Sequence, residues 1–216
     1  MSTVRISRLH FPVTTLGPGR RVGLWFQGCS IRCPGCISPD TWDVDVVAPV
    51  AVDAVLEAIE PWTSEADGLT VSGGEPFDQP DALATLLTGW RARHGGTVLV
   101  FTGYERDQVE PWLAEHPDLI DALVSGPFDL HADQTLALRG SDNQMLHRLT
   151  PAGAIFSVFE RPADSADRRL DLMFDEEGGA WFAGIPARGD FQRFRQAMRR
   201  SGHRVDMTAR TAGAGE

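Results

Sequence analysis

Apolar residues are arranged along the first 125 positions in blocks that switch between a short-run and a helical pattern. Arg21–Gln27 (RVGLWFQ) is a brief apolar run opening into a glycine, the pattern of a buried strand. Val52, Val55, Leu56 and Ile59 recur at helical spacing and predict an amphipathic helix over 51–62. Leu69–Ser72 (LTVS) reads as the next strand and runs into Gly73-Gly74-Glu75-Pro76. Leu83, Leu86, Leu87 and Trp90 return to the helical period, with Asp78 and Pro80 as start signals. Thr97–Thr102 predicts a strand, Asp107–Glu115 a helix, and Ala122–Val124 a short strand before Ser125-Gly126-Pro127.

Strand and helix in strict alternation imply parallel pairing with crossover helices, and so an α/β fold. In such sheets ligands gather at the carboxyl ends of the strands. Four segments follow strand ends here: the loop after Gln27, the GGEP turn, Thr102-Gly103-Tyr104, and Ser125-Gly126-Pro127. They are expected to share one rim. The polar segment Arg139-Gly-Ser-Asp-Asn-Gln144 is expected to follow a further apolar strand. Beyond about residue 150 the pattern changes. Leu170–Phe174 and Ala180–Ile185 flank a Gly-containing turn as in a hairpin, and Phe191, Phe194, Arg195 and Met198 predict a helix ending near Gly202. Residues 160–169 read as a surface linker, and the terminal TARTAGAGE as disordered. The chain therefore divides into 1–150 and an extension, 151–216.

All three cysteines fall in the loop after the first of these strands, as Cys29-Ser-Ile-Arg-Cys33-Pro-Gly-Cys36. Structural metal sites usually close with four side-chain ligands. Three thiolates could hold three irons of a four-iron cluster and leave the fourth open for a bound molecule. The competing reading is a zinc knuckle completed by a histidine such as His10, although no histidine lies in the loop itself.

Charge narrows the function classes. The chain carries a net charge of −10, and all 20 basic residues are Arg. Without lysine there is no Schiff-base or P-loop lysine chemistry. Residues 1–187 balance at −14 and residues 188–216 at +4. An acidic body argues against a nucleic-acid partner; the basic tail is a solvated face or a dock for an acidic partner. No apolar run reaches about 18 residues, the start lacks a signal-peptide core, and three cysteines do not pair evenly. A cytoplasmic protein with no membrane partner is expected.

The spacing C-x3-C-x2-C after a first strand, with GGEP after the second, resembles the radical S-adenosylmethionine (radical SAM) superfamily. The segments RVGLWFQGCSIRCPGCISPDTWD, LTVSGGEPFDQ, VFTGYERDQV, ALVSGPFD and LALRGSDNQ, over residues 4–148, resemble the activating proteins of anaerobic ribonucleotide reductases. Gly35 before the third cysteine, where most of the superfamily carries an aromatic residue, favours that branch. The resemblance implies a partial (β/α) barrel of mostly parallel strands. It implies a [4Fe-4S] cluster on Cys29, Cys33 and Cys36, with SAM chelated at the open iron. One electron would cleave SAM to a 5′-deoxyadenosyl radical that takes a hydrogen atom. Gly73, Gly74, Glu75 and Pro76 would hold the SAM methionyl group, Glu75 accepting from its ammonium; alone, GGEP is only a strand-ending turn. Thr102, Gly103 and Tyr104 would lie near the SAM ribose or adenine, the alternative being a packed strand-end tyrosine. No catalytic residue beyond the cluster is implied. Arg139–Gln144 completes the site or is a plain loop, and Trp42 shields the cluster or merely packs.

The resemblance further implies a partner, a glycyl-radical enzyme such as an anaerobic ribonucleotide reductase, and an electron donor such as flavodoxin or ferredoxin. The family is compact, so the extension 151–216 is a departure. Two other functions stay open: a radical SAM enzyme acting on a small molecule or peptide, with the extension closing the mouth, and a non-enzymatic metal-binding interaction protein.

Overall fold

The structure is a computed structural model and describes residues 2–174 and 179–204. In chain order its strands and helices are β1 (Thr3–Val4), β2 (Ile6–Val13), β3 (Arg21–Phe26), β4 (Val50–Ala51), α1 (Val52–Ile59), β5 (Gly68–Gly73), α2 (Pro80–Arg93), β6 (Thr97–Phe101), α3 (Arg106–Glu115), β7 (Ala122–Ser125), β8 (Met145–Arg148), β9 (Leu170–Phe174), β10 (Ala180–Gly184) and α4 (Asp190–Arg200). Six strands form the central sheet in the order β2-β3-β5-β6-β7-β8. The four inner strands are parallel, and β2 and β8 are added antiparallel at the two edges. The fold is mixed α/β around a mostly parallel sheet.

Alternation along the inner strands sends side chains to two different cores. Val22, Leu24 and Phe26 of β3, Leu69 and Val71 of β5, Val98 and Val100 of β6, and Leu123 of β7 join one large cluster. On its far side that cluster takes Val52, Val55, Leu56 and Ile59 of α1 and Leu83, Leu86, Leu87 and Trp90 of α2. Proline at the first helical position starts α2, where its missing N–H costs nothing. Each fully buried Leu or Val on this face contributes about 1.5–3 kcal/mol.

The opposite face is built differently. Arg21 points there and is wholly buried, donating to Thr70 Oγ1 at 2.6 Å, the Leu69 carbonyl at 2.7 Å and the Thr97 carbonyl at 2.8 Å. Saturated acceptors offset the cost of burying its charge. Leu99, Ala122 and Val124 pack against Phe156, and Trp25 and Val13 against Met173 and Ala183. Phe101 and Ile185 touch both groups. The segment after residue 150 thus covers the sheet face that the helices leave bare.

The expected strands and helices up to residue 125 form within a residue or two, except that the helix expected over 51–62 ends at Ile59 and continues as a 3-10 turn, Glu60–Trp62. The hairpin strands and the last helix form as well, and 160–169 contains a short 3-10 turn, Ser165–Arg168. Asp175–Gly178 of the hairpin turn and the tail 205–216 lie outside the described residues. One expectation is corrected. The apolar residues before Arg139 are not a strand: Leu136 makes an isolated bridge to Pro162, Leu138 has φ 60°, and the strand comes later, as β8. A left-handed Leu cannot continue a ladder.

Candidate iron–sulfur and SAM site

The four expected turns meet at the carboxyl ends of β3, β5, β6 and β7. The β5 turn is locked to the β3 exit by Gly74 N–H donating to the Phe26 carbonyl and Glu75 N–H to the Gly28 carbonyl, both at 2.8 Å. A Cβ at Gly74 would collide with the Gly28 carbonyl, so only glycine admits this approach. The β6 turn is tied to β7 by Thr102 N–H donating to Val124 O at 2.9 Å and Gly126 N–H to Tyr104 O at 2.8 Å. No helix among the described residues is long and apolar enough to cross a membrane.

The cysteine loop sits among these turns. Cys29 N–H donates to the Trp42 carbonyl at 3.1 Å, and Gln27 Nε2 holds the Asp40 and Asp43 carbonyls at 3.0 and 2.7 Å. All three cysteines are free and partly buried. Burial pushes each thiol up, against backbone N–H donors that stabilise the thiolate: Arg32 and Ile31 at Cys29, Phe128 at Cys33 and Ser38 at Cys36. The Trp42 side chain also lowers the Cys36 thiol, and Ser38 N–H donates to Cys36 Sγ at 3.4 Å. Phe128 follows the β7 turn, so that turn reaches the cysteine loop directly. Gly35, at φ 79°, passes beneath Phe128 and Leu130, where an added Cβ would lie 3.1 Å from Leu130 Cδ1.

Glu75 is the electrostatic oddity. It is 1% exposed, and its carboxylate accepts from Thr102 Oγ1 at 2.8 Å, Gly103 N–H at 2.8 Å and Phe77 N–H at 3.0 Å. Desolvation outweighs these donors and pushes its pKa up to about 7, with Asp78 adding to the rise. The carboxylate turns inward and clasps the β6 turn. Through Thr102 and Gly103, Glu75 shapes the wall of the rim.

Tyr104 and Asp78 form a second tie. Tyr104 OH donates to Asp78 Oδ1 at 2.7 Å, and Ser30 N–H donates to Asp78 Oδ2 at 2.7 Å. Asp78 entered the sequence reading only as a helix start signal and Ser30 not at all, because neither type at such spacing marks a site. The segment Arg139–Gln144 buttresses the β7 turn: Gln144 Nε2 donates to Gly126 O at 3.0 Å and Asn143 Nδ2 to Pro127 O at 2.8 Å.

The donor set fits a multi-iron group. Cys29 and Cys33 both raise Cys36, so the three thiols feel one another's charge. Yet no three His, Cys, Asp or Glu side chains among the described residues gather as they would about a single ion. A cluster needs no such convergence, because each thiolate takes its own iron. Residues 15–147 match the family model of the 4Fe-4S single cluster domain. The chain is 34% identical over 149 residues to the anaerobic ribonucleoside-triphosphate reductase-activating protein of Escherichia coli K12, covering 65% of this chain and 96% of that protein. The Haemophilus influenzae protein of the same name is 30% identical, over 64% and 95%. The chain belongs to the radical SAM activating-protein family.

A pyruvate formate-lyase-activating enzyme from Listeria monocytogenes is 43% identical over 88 residues, 39% of this chain and 36% of that enzyme. As a member of this family the chain is a radical SAM oxidoreductase, with a [4Fe-4S] cluster and S-adenosylmethionine as cofactors. The family match ends at residue 147, so the cover over the second sheet face lies outside it.

Proposed function

We propose that the chain installs a glycyl radical on a large partner enzyme of the anaerobic ribonucleotide reductase kind. What supports this most is the pairing of a three-thiol loop with near-full-length similarity to reductase-activating proteins. Cys29, Cys33 and Cys36 would hold the cluster, and the sheet would act as the partial barrel of the radical SAM type. When bound, the cluster would pass one electron, from a donor such as flavodoxin or ferredoxin, to the SAM sulfonium, giving methionine and a 5′-deoxyadenosyl radical that takes hydrogen from a glycine.

The chain's own residues would then bind, orient and exclude water. The backbone of Gly73, Gly74 and Pro76 would border the methionyl end of SAM. Glu75 would fix Thr102 and Gly103, so that the β6 turn presents the same edge to every SAM molecule. Tyr104 would border the nucleoside side of the cleft. The Trp42 side chain and the Ser38 N–H on Cys36 would stabilise negative charge on that sulfur. Residues 1–150 would form the catalytic unit and 151–216 its cover.

A second function, acting on a small molecule or peptide, is favoured by one observation. Phe156, Met173 and Ala183 occupy the sheet face opposite the helices, a cover that would narrow the ways into the site. Electron paramagnetic resonance separates the two. The reconstituted protein, reductant and SAM are mixed with an anaerobic reductase from the same source. A glycyl radical doublet on the reductase is expected; SAM cleavage with no radical there would favour the second function.

A further inference from the structure

We propose that Asp78 is a positioning residue for the cofactor site: its carboxylate fastens the cysteine loop, through Ser30, to the turns after β5 and β6, and its charge adds to the field at the cluster. This rests on the cysteines holding the cluster as described under Proposed function.

One carboxylate collects three donors from two other turns. Oδ2 accepts Ser30 N–H at 2.7 Å, and Oδ1 accepts Ser30 Oγ at 2.9 Å and Tyr104 OH at 2.7 Å. Ser30 Oγ and Tyr104 OH are themselves 3.1 Å apart. Ser30 follows Cys29 directly, so Asp78 fixes the start of the three-residue span between Cys29 and Cys33. Beyond Cys33, Gly35 passes against Phe128 and Leu130 of the β7 turn. Between them Arg32 is held at φ 50°, a left-handed conformation that a non-glycine residue keeps only when its surroundings impose it.

Asp78 is itself aimed by the turn before it. Glu75 accepts Phe77 N–H, and Asp78 N–H donates to the Glu75 carbonyl at 3.1 Å. The contacts thus run from the GGEP turn through Asp78 to the cysteine loop. Among the described residues no ion pair involves Asp78. Its carboxylate lies against Ser30 N–H and Oγ, one residue from Cys29. Asp78 is exposed, so solvent screens part of its charge; what remains beside a cluster disfavours adding an electron and lowers the reduction potential.

The test compares wild type, Asp78→Asn and Asp78→Ala after anaerobic reconstitution with iron and sulfide. The midpoint potential of the cluster and the rate of iron loss to a ferrous chelator are measured, with the Tm of each apo-protein as control. Asp78→Asn keeps an oxygen for Ser30 N–H but loses the charge. Its potential is expected to shift positive with the apo-protein Tm unchanged. Asp78→Ala should show the same positive shift and lose iron about tenfold faster, the scale on which outer residues act on metal sites. An unshifted potential in Asp78→Asn, or wild-type iron loss in Asp78→Ala, overturns the proposal. So does a shift accompanied by a fall in the Asp78→Asn apo-protein Tm, which would make the residue merely structural. If wild type itself takes up no cluster, the parent assignment fails instead, and the two failures are told apart.

Discussion

The two faces of the central sheet are built by opposite rules. The face toward α1 and α2 is a single continuous core of Val, Leu, Ile, Phe and Trp contributed by consecutive strand–helix units. The other face is two small clusters joined by Phe101 and Ile185, with a buried arginine at one end and much of its cover supplied from beyond residue 150. The first is made of local, periodic pieces and supplies stability. The second closes through contacts distant in sequence, such as Thr14 N–H and Thr15 Oγ1 on Asp171 Oδ2 at 2.6 and 3.1 Å. The candidate rim borders the first core, against which Phe77 and Tyr104 pack, and hydrogen bonds between its turns hold it together. The half-buried cysteines lie outside both cores, so they can be altered with little effect on folding.

The largest expected effect separates the cysteines from both cores. Cys33→Ala should abolish cluster uptake and 5′-deoxyadenosine formation while the apo-protein unfolds within about 0.5 kcal/mol of wild type. Iron analysis and anaerobic product assay check the first part, and urea denaturation the second. A large loss of apo stability would mean that the thiol is packing the core.

Next come the two faces themselves. Phe156→Ala removes a wholly buried ring and should cost about 3–5 kcal/mol, in one cooperative transition shared with the sheet. Leu86→Ala on the helix side should cost about 2–5 kcal/mol. If Phe156→Ala instead produced a separate early transition, residues after 150 would be an independent unit and the comparison would break.

Glu75 gives a pH signature. Its carboxyl pKa is raised in the folded state to about 7 from an ordinary value near 4.5. The folded apo-protein then binds more protons than the unfolded chain between these values. Stability from this group is fully present below about pH 4.5 and falls as pH rises through about 7, by on the order of 3 kcal/mol in all. Glu75→Gln should remove that slope in apo-protein melts recorded from pH 5 to 8. An unchanged slope would place the titration elsewhere.

The smallest effect concerns the tie at Tyr104. Tyr104→Phe removes one hydrogen bond to an exposed carboxylate, and should cost the apo-protein about 0.5–1.5 kcal/mol. Chemical denaturation reads it; a loss above about 3 kcal/mol would show that Tyr104 belongs to a core.

What was legible in the sequence follows from the same contrast. The inner strands and α1–α3 were readable because Val22, Leu24 and Phe26, or Leu83, Leu86, Leu87 and Trp90, keep a strict period. The edge strand β2 was not, because register shifts between Ile6 and Arg8 and between His10 and Val13 break its alternation. The short strand β8 carries no pattern in four residues, and the 3-10 segment Pro151–Phe159 follows neither the strand nor the α-helical period. At the rim, cysteine spacing and GGEP marked two of the turns that meet there. The inward turn of Glu75 and the Ser30–Asp78–Tyr104 tie depend on side chains 26 to 74 positions apart, which no local pattern records.

The most direct test is made on the cluster in frozen solution. The protein is reconstituted anaerobically, reduced, and titrated with SAM while its electron paramagnetic resonance spectrum is recorded. A three-cysteine loop with an open iron beside the GGEP turn requires a [4Fe-4S]+ signal whose g-values change on SAM addition, followed by formation of 5′-deoxyadenosine. A spectrum indifferent to SAM, or a protein that holds zinc and makes no 5′-deoxyadenosine, would contradict it.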